Sequence, residues 1–163
     1  MRAAFLIAIC FVVSSLSRAD EPLPAPTFKR FASASGEIVA YATPGSDTRV
    51  LRSVSGEELW KIPGWHRDIC ISNDGLHAAT VYDGLNLIPL DSSPEFVLVT
   101  LWTSGKKSGE IKLSQIAPSL SILRRTISHL DWGTVVGFND KNELVIERTD
   151  GKRFRFSTDG TPR

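Results

Sequence analysis

The chain has 163 residues, 42% of them hydrophobic, 23% charged and 9% aromatic, with a net charge of +1. This composition fits one ordinary globular domain and excludes a charged disordered tail, a collagen-like fibre and a disulfide-stapled miniprotein. Near neutrality also removes the electrostatic reason for nucleic acid to be the main partner.

Residues 1–20 read MRAAFLIAICFVVSSLSRAD. Arg2 supplies a positive start, Ala3 to Val13 form an unbroken apolar run, and Ser17-Arg18-Ala19 puts small residues three and one positions before a cut after Ala19. That is the layout of a secretory signal peptide, so the protein is expected to be secreted or periplasmic. The apolar run is shorter than the ~20 residues a membrane span needs, and no second run follows it, so no transmembrane span is expected after cleavage. Cys10 does not suit a lipoprotein signal, because Ile9 precedes it where Gly, Ala or Ser is required. Removal of residues 1–19 takes away Arg2 and Arg18 and brings the net charge to −1. It also leaves Cys70 without a partner for an internal disulfide. Between Ile69 and Ile71, Cys70 is expected to act as a small buried hydrophobe.

Residues 20–30 open with DEPLPAPT and are read as a Pro-rich linker, ahead of a single β-rich domain over 31–163. Turn signals then recur about every ten residues, among them TPGSD (43–47), IPGW (62–65), SNDG (72–75), YDG (82–84), FNDKNE (138–143) and STDG (157–160). Strand-sized pieces lie between them. Glu95–Trp102 is apolar on both faces and reads as a central, covered strand, whereas Arg153-Phe154-Arg155-Phe156 alternates like a half-solvated one. Ser-Gly-Glu occurs at 35–37, 55–57 and 108–110, each copy reading as a turn that launches a strand. Ile116, Leu120, Leu123, Ile127 and Leu130 follow helical spacing, and with Pro118 in a first turn they predict a short helix near 118–125. Thr126 to Trp132 reads equally as helix or strand.

The run SVSGEELWKIPGW (53–65) resembles the repeat of pyrroloquinoline-quinone-type β-propellers, with Gly56, Glu57, Leu59 and Trp60 carrying the match. ISNDGLHAATVYDG (71–84) is similar to an element of WD-repeat propellers, and 31–160 resembles short exported bacterial propeller-like proteins with no assigned activity. The resemblance implies antiparallel meanders, with Trp60 stacked between sheets, and nothing in it matches a quinone site. A closed propeller takes at least about four blades of about 40–45 residues. The mature length supplies roughly three such blades, so the expectation is an incomplete propeller or a sandwich of similar meanders, with sheet edges that need cover.

Trp65-His66-Arg67-Asp68 is the densest polar and aromatic cluster. On a strand, His66 and Asp68 would share a face and orient one another, and the aromatics with a guanidinium suit a sugar or an anion. His129 and Trp132 are the second candidates, near Ser128 and Asp131. No Gly-x-Ser-x-Gly elbow accompanies them, and adjacency in sequence does not make a triad. The spacing of His66, His77 and His129 fits no compact metal motif, so neither metal nor cofactor is expected. Asp74 and Asp83 precede glycines and read as turn caps. These residues lead to a non-catalytic binding or protein-interaction module of the bacterial envelope, with an envelope protein or glycan as partner. Two alternatives stand beside it: a small glycan hydrolase using Asp68 or Asp131 with a histidine, and a structural half-propeller that forms a homodimer through its sheet edges.

Overall fold

A computed structural model of the protein describes residues 23–163. The signal peptide expected from the sequence, with its cut after Ala19, lies outside the described residues. Residues 23–28 carry no regular structure, and the first strand starts at Lys29.

The chain is mainly β, built as four antiparallel sheets. The first is a simple meander of β1 (Lys29–Ala32), β2 (Ile38–Ala42), β3 (Thr48–Arg52) and β4 (Glu58–Ile62). The second orders β5 (Ile69–Ile71), β6 (His77–Val81), β8 (Val97–Thr103) and β9 (Lys106–Lys112). Its meander is interrupted by an excursion carrying β7 (Leu87–Pro89), which pairs instead with β11 (His129–Asp131) beside β10 (Arg124–Arg125). The fourth sheet is β12 (Gly133–Phe138), β13 (Leu144–Arg148) and β14 (Arg153–Phe156). Residues 126–132, readable either way from sequence, thus hold strand β11.

The period-two pattern explains why the second sheet lies in the middle. On β6, Ala78 and Ala79 are both fully buried yet point to opposite faces. Ala78 joins Ile69, Ile71, Ile38, Val50 and Ile62 in a core against the first sheet, while Ala79 joins Leu98, Leu101, Ile111, Trp132, Leu144 and Phe156 on the other side. The covered strand expected at Glu95–Trp102 is β8, inner in its sheet and buried at Leu98, Val99 and Leu101. Trp60 packs in the first of these cores, and its indole N–H donates to the Gly75 carbonyl at 2.7 Å, tying β4 to the β5–β6 turn.

One turn design recurs. Ser35, Ser55, Asp74, Asp150 and Asp159 each accept, through a side-chain oxygen, the backbone N–H two residues on. The glycine between donor and acceptor has φ from 69° to 86°, a left-handed conformation that glycine takes at no steric cost. Two of the Ser-Gly-Glu copies are such turns. The third, at 108–110, is not: it lies inside β9, where Ser108 Oγ donates to the Thr158 carbonyl at 2.7 Å.

The helical content also sits differently from the reading of 118–125. A short α1 (Leu113–Ile116) precedes it, and only a 3-10 turn, Leu120–Ile122, falls within it. Pro118 acts as a stop rather than a start, since the residue before a proline is pushed out of the helical region, and Ala117 is extended at φ −136° and ψ 97°. Leu123 and Leu130 are buried by the strand-side core, which produces their apparent helical spacing without a helix.

Candidate functional site

Residues 63–68 connect β4 of the first sheet to β5 of the second, so their side chains sit where two sheets meet. Four contacts fix this connection. Gly64 N–H donates to Asp47 Oδ1 at 2.9 Å, and the Gly64 carbonyl accepts from Thr48 Oγ1 at 2.8 Å. The Trp65 indole N–H donates to the Thr27 carbonyl at 2.8 Å, while Lys29 Nζ donates to the Arg67 carbonyl at 2.8 Å. The segment preceding β1 thereby becomes part of the site.

Arg67 is the buried member, with 6% of its surface exposed. Its Nε donates to Asp83 Oδ1 at 3.1 Å, its Nη1 donates to the Pro24 carbonyl at 3.0 Å, and its guanidinium carbon lies 5.2 Å from the centre of the Trp65 ring. Lys29 Nζ is 6.0 Å from the same ring. Such cation–π contacts hold an indole in one orientation. Trp65 also walls an open groove of about 580 Å³ with Asp47, Arg49, Lys61 and Gly64.

His66 and Asp68 do not face one another in the way an alternating strand would place them. His66 Nε2 lies 3.0 Å from the Pro63 carbonyl, and the ring borders a cavity of about 240 Å³ with Thr80, Tyr82 and Trp102. Burial holds its imidazole below the usual range, against the opposing pull of the Pro63 carbonyl and the Asp83 carboxylate. Asp68 borders a different cavity of about 280 Å³, together with Asn86, Trp132 and Thr134. The cause is that 63–68 is a bent connection and not a strand, so spacing by two does not place both side chains on one face.

The second group is similarly divided. Trp132 is 1% exposed, and its indole N–H donates to the Leu85 carbonyl at 2.8 Å. Asp131, 3% exposed, is paired with Arg124 and accepts from Asn86 Nδ2 at 3.1 Å. His129 Nδ1 lies 2.9 Å from Ser128 Oγ. His77 is elsewhere, with Nδ1 at 3.0 Å from Thr103 Oγ1 and Nε2 at 4.0 Å from Asp74 Oδ2. The three histidines therefore serve three separate neighbourhoods.

Sequence reasoning missed Asp83 as the partner of Arg67, and Asp47, Arg49 and Lys61 as groove walls. Lys61 did carry a signal, since it is a charged residue between the apolar Trp60 and Ile62 on its strand. No protein-family model and no curated protein matches the chain. A solved structure described as "Crystal structure of the eukaryotic initiation factor" is 18% identical over 84% of this chain, with a TM-score of 0.40. This chain spans 34% of that one, and likeness at this level carries no argument about function.

Proposed function

We propose that the chain is an exported, non-catalytic binding module of the bacterial cell envelope, with the 63–68 connection as its recognition surface. The observation that carries this reading is the Trp65 ring. It walls an open groove while Arg67, Lys29 and the Thr27 carbonyl fix it from within the protein. A rigid, partly exposed aromatic beside polar groups is the usual anchor of a recognition surface. Export is supported by the signal layout of residues 1–19, and the propeller-like reading by the β1-β2-β3-β4 meander. The hydrolase alternative draws less support. Asp131 is engaged by Arg124 and Asn86, and Asp68 and His66 border different cavities. No helix among the described residues is long and apolar enough to cross a membrane.

Affinity capture from envelope extract tests the reading, with the wild-type chain compared against a Trp65→Ala/His66→Ala variant of unchanged melting temperature. The expected result is selective loss of captured material by the variant. Equal recovery by both forms removes the 63–68 surface from consideration.

A further inference from the structure

The pairing register of the first sheet sets four residues in one transverse row. Arg30 is opposite Tyr41, Tyr41 opposite Arg49, and Arg49 opposite Lys61. The neighbouring row, Phe31, Ala40, Val50 and Trp60, faces the core, so alternation puts Arg30, Tyr41, Arg49 and Lys61 on the outer face. Arg30, Arg49 and Lys61 are exposed, and Tyr41 is half-buried.

Like charges placed directly opposite one another are unfavourable on a sheet. Arg49 and Lys61 stand in that relation and share the single carboxylate of Glu58, at 2.6 and 3.5 Å. Arg30 has no ion pair among the described residues. The row therefore carries three cations against one carboxylate, an arrangement that fold stability does not require. Adjacent strands lie about 4.8 Å apart, so the Arg30 and Arg49 backbones are separated by roughly 10 Å, with the Tyr41 ring between them and Lys61 one strand beyond. Phe28, mostly exposed, stacks on Tyr41 with ring centres 5.7 Å apart and planes at 22°. At its far end the row opens into the Trp65 groove, whose Asp47 carboxylate is engaged by the Gly64 N–H.

We infer that the outer face of the first sheet binds an acidic polysaccharide, its carboxylates meeting Arg30, Arg49 and Lys61 and a sugar ring lying against Tyr41. This rests on the binding-module reading and names its ligand class. Arginine matches the planar fork of a carboxylate, and an aromatic between cations suits a chain whose charges are spaced by uncharged ring faces. A polynucleotide would bring a denser charge than this balanced chain attracts.

Isothermal titration of the purified full-length chain with oligogalacturonate, alginate and hyaluronan oligomers, at two salt concentrations, tests the inference. The expected result is salt-sensitive binding of at least one, lost when the same oligomer has its carboxyls methyl-esterified. Arg30→Ala and Arg49→Ala are expected to weaken it about tenfold each, the usual worth of a hydrogen bond to a charged group. Tyr41→Ala weakens it while Tyr41→Phe retains it. Lys141→Ala, away from this sheet, leaves it unchanged. Binding of none of the three, equal binding of the esterified oligomer, tighter binding of oligo-dT, or survival of binding in the Arg30→Ala/Arg49→Ala/Lys61→Ala variant each overturns the inference. Those failures leave the binding-module reading standing if capture from envelope extract still depends on Trp65.

Discussion

Arg67 and Asp83 form an ion pair with very unequal burial: Nε and Oδ1 are 3.1 Å apart, while the side chains are 6% and 64% exposed. The exposed partner can take up water if the pair is broken, and the buried one cannot. Removing one member of such a pair costs far more when it strands the buried charge.

The two partners should therefore respond differently to substitution. Asp83→Ala leaves the enclosed Arg67 guanidinium, among the described residues, with the Pro24 carbonyl and the Trp65 ring, and is expected to cost about 2 kcal/mol. Arg67→Met keeps most of the volume and lets Asp83 hydrate, so it should cost under about 1 kcal/mol. Urea unfolding of both variants checks this. A larger loss in Arg67→Met than in Asp83→Ala would contradict the asymmetry.

Cys70 offers a prediction in pH. Burial, with a smaller contribution from the Asp68 charge, pushes its thiol from 9.0 up to about 12. Above pH 9 the unfolded chain releases this proton while the folded chain holds it. Stability contributed by the neutral thiol is thus complete below pH 9 and falls through the window from 9 to about 12, at a limiting slope of about 1.4 kcal/mol per pH unit. Thermal melts across that window should show the decline in wild type and a shallower one in Cys70→Ala. Cys70 is half-buried rather than the fully buried hydrophobe expected from its isoleucine neighbours. Its raised thiol should still make it slow to alkylate at pH 8, and rapid labelling there would refute the raised value.

Local chemistry made much of the fold readable, and pairing at a distance made the rest unreadable. Serine or aspartate before glycine at 35–36, 55–56, 74–75, 150–151 and 159–160 marks turns because the side-chain oxygen and the left-handed glycine act within five residues. The pairing of β7 with β11 has no such local mark, since Ile88 and Leu130 lie far apart in the chain and are brought opposite one another only by the tertiary fold. The site divides in the same way. Trp65 and Arg67 are neighbours in sequence and in space. Thr27, Pro24 and Asp83, which hold them, come from 38, 43 and 16 residues away. The cationic row is written in the register of three strand pairs, which alternation alone does not disclose.

Trp132 tests how the excursion from the second sheet is held. Its indole N–H reaches the Leu85 carbonyl, and Leu85 itself sits at φ 58°, a conformation costly for leucine. Trp132→Phe removes the donor and leaves a small void, at an expected cost of about 2 kcal/mol. Amide hydrogen exchange in residues 82–89 should accelerate more than exchange in β13. Uniform acceleration would mean that the indole does not anchor this excursion in particular.

Two glycines from the repeated Ser-Gly-Glu motif give the sharpest comparison, because the same three letters serve different physical ends. Gly56 sits in a turn at φ 69° with open space where a Cβ would project. Alanine there meets only the left-handed penalty, about 1 kcal/mol. Gly109 lies within β9 with no positive φ, but a Cβ would fall 2.1 Å from the Asp159 carbonyl oxygen and 2.4 Å from its carbon. That oxygen belongs to backbone, fixed by the Ser157–Thr161 turn and by Gln115 Nε2 donating to the Gly160 carbonyl at 3.0 Å. It cannot rotate away as a side chain would. Gly109→Ala must lift the 157–161 turn off the edge of β9, with an expected loss of about 3 kcal/mol and early proteolysis of the C-terminal segment. Denaturant unfolding of the two variants ranks the costs. Equal losses would mean that Gly109, like Gly56, is retained for its backbone freedom and not for the close approach of two chain segments.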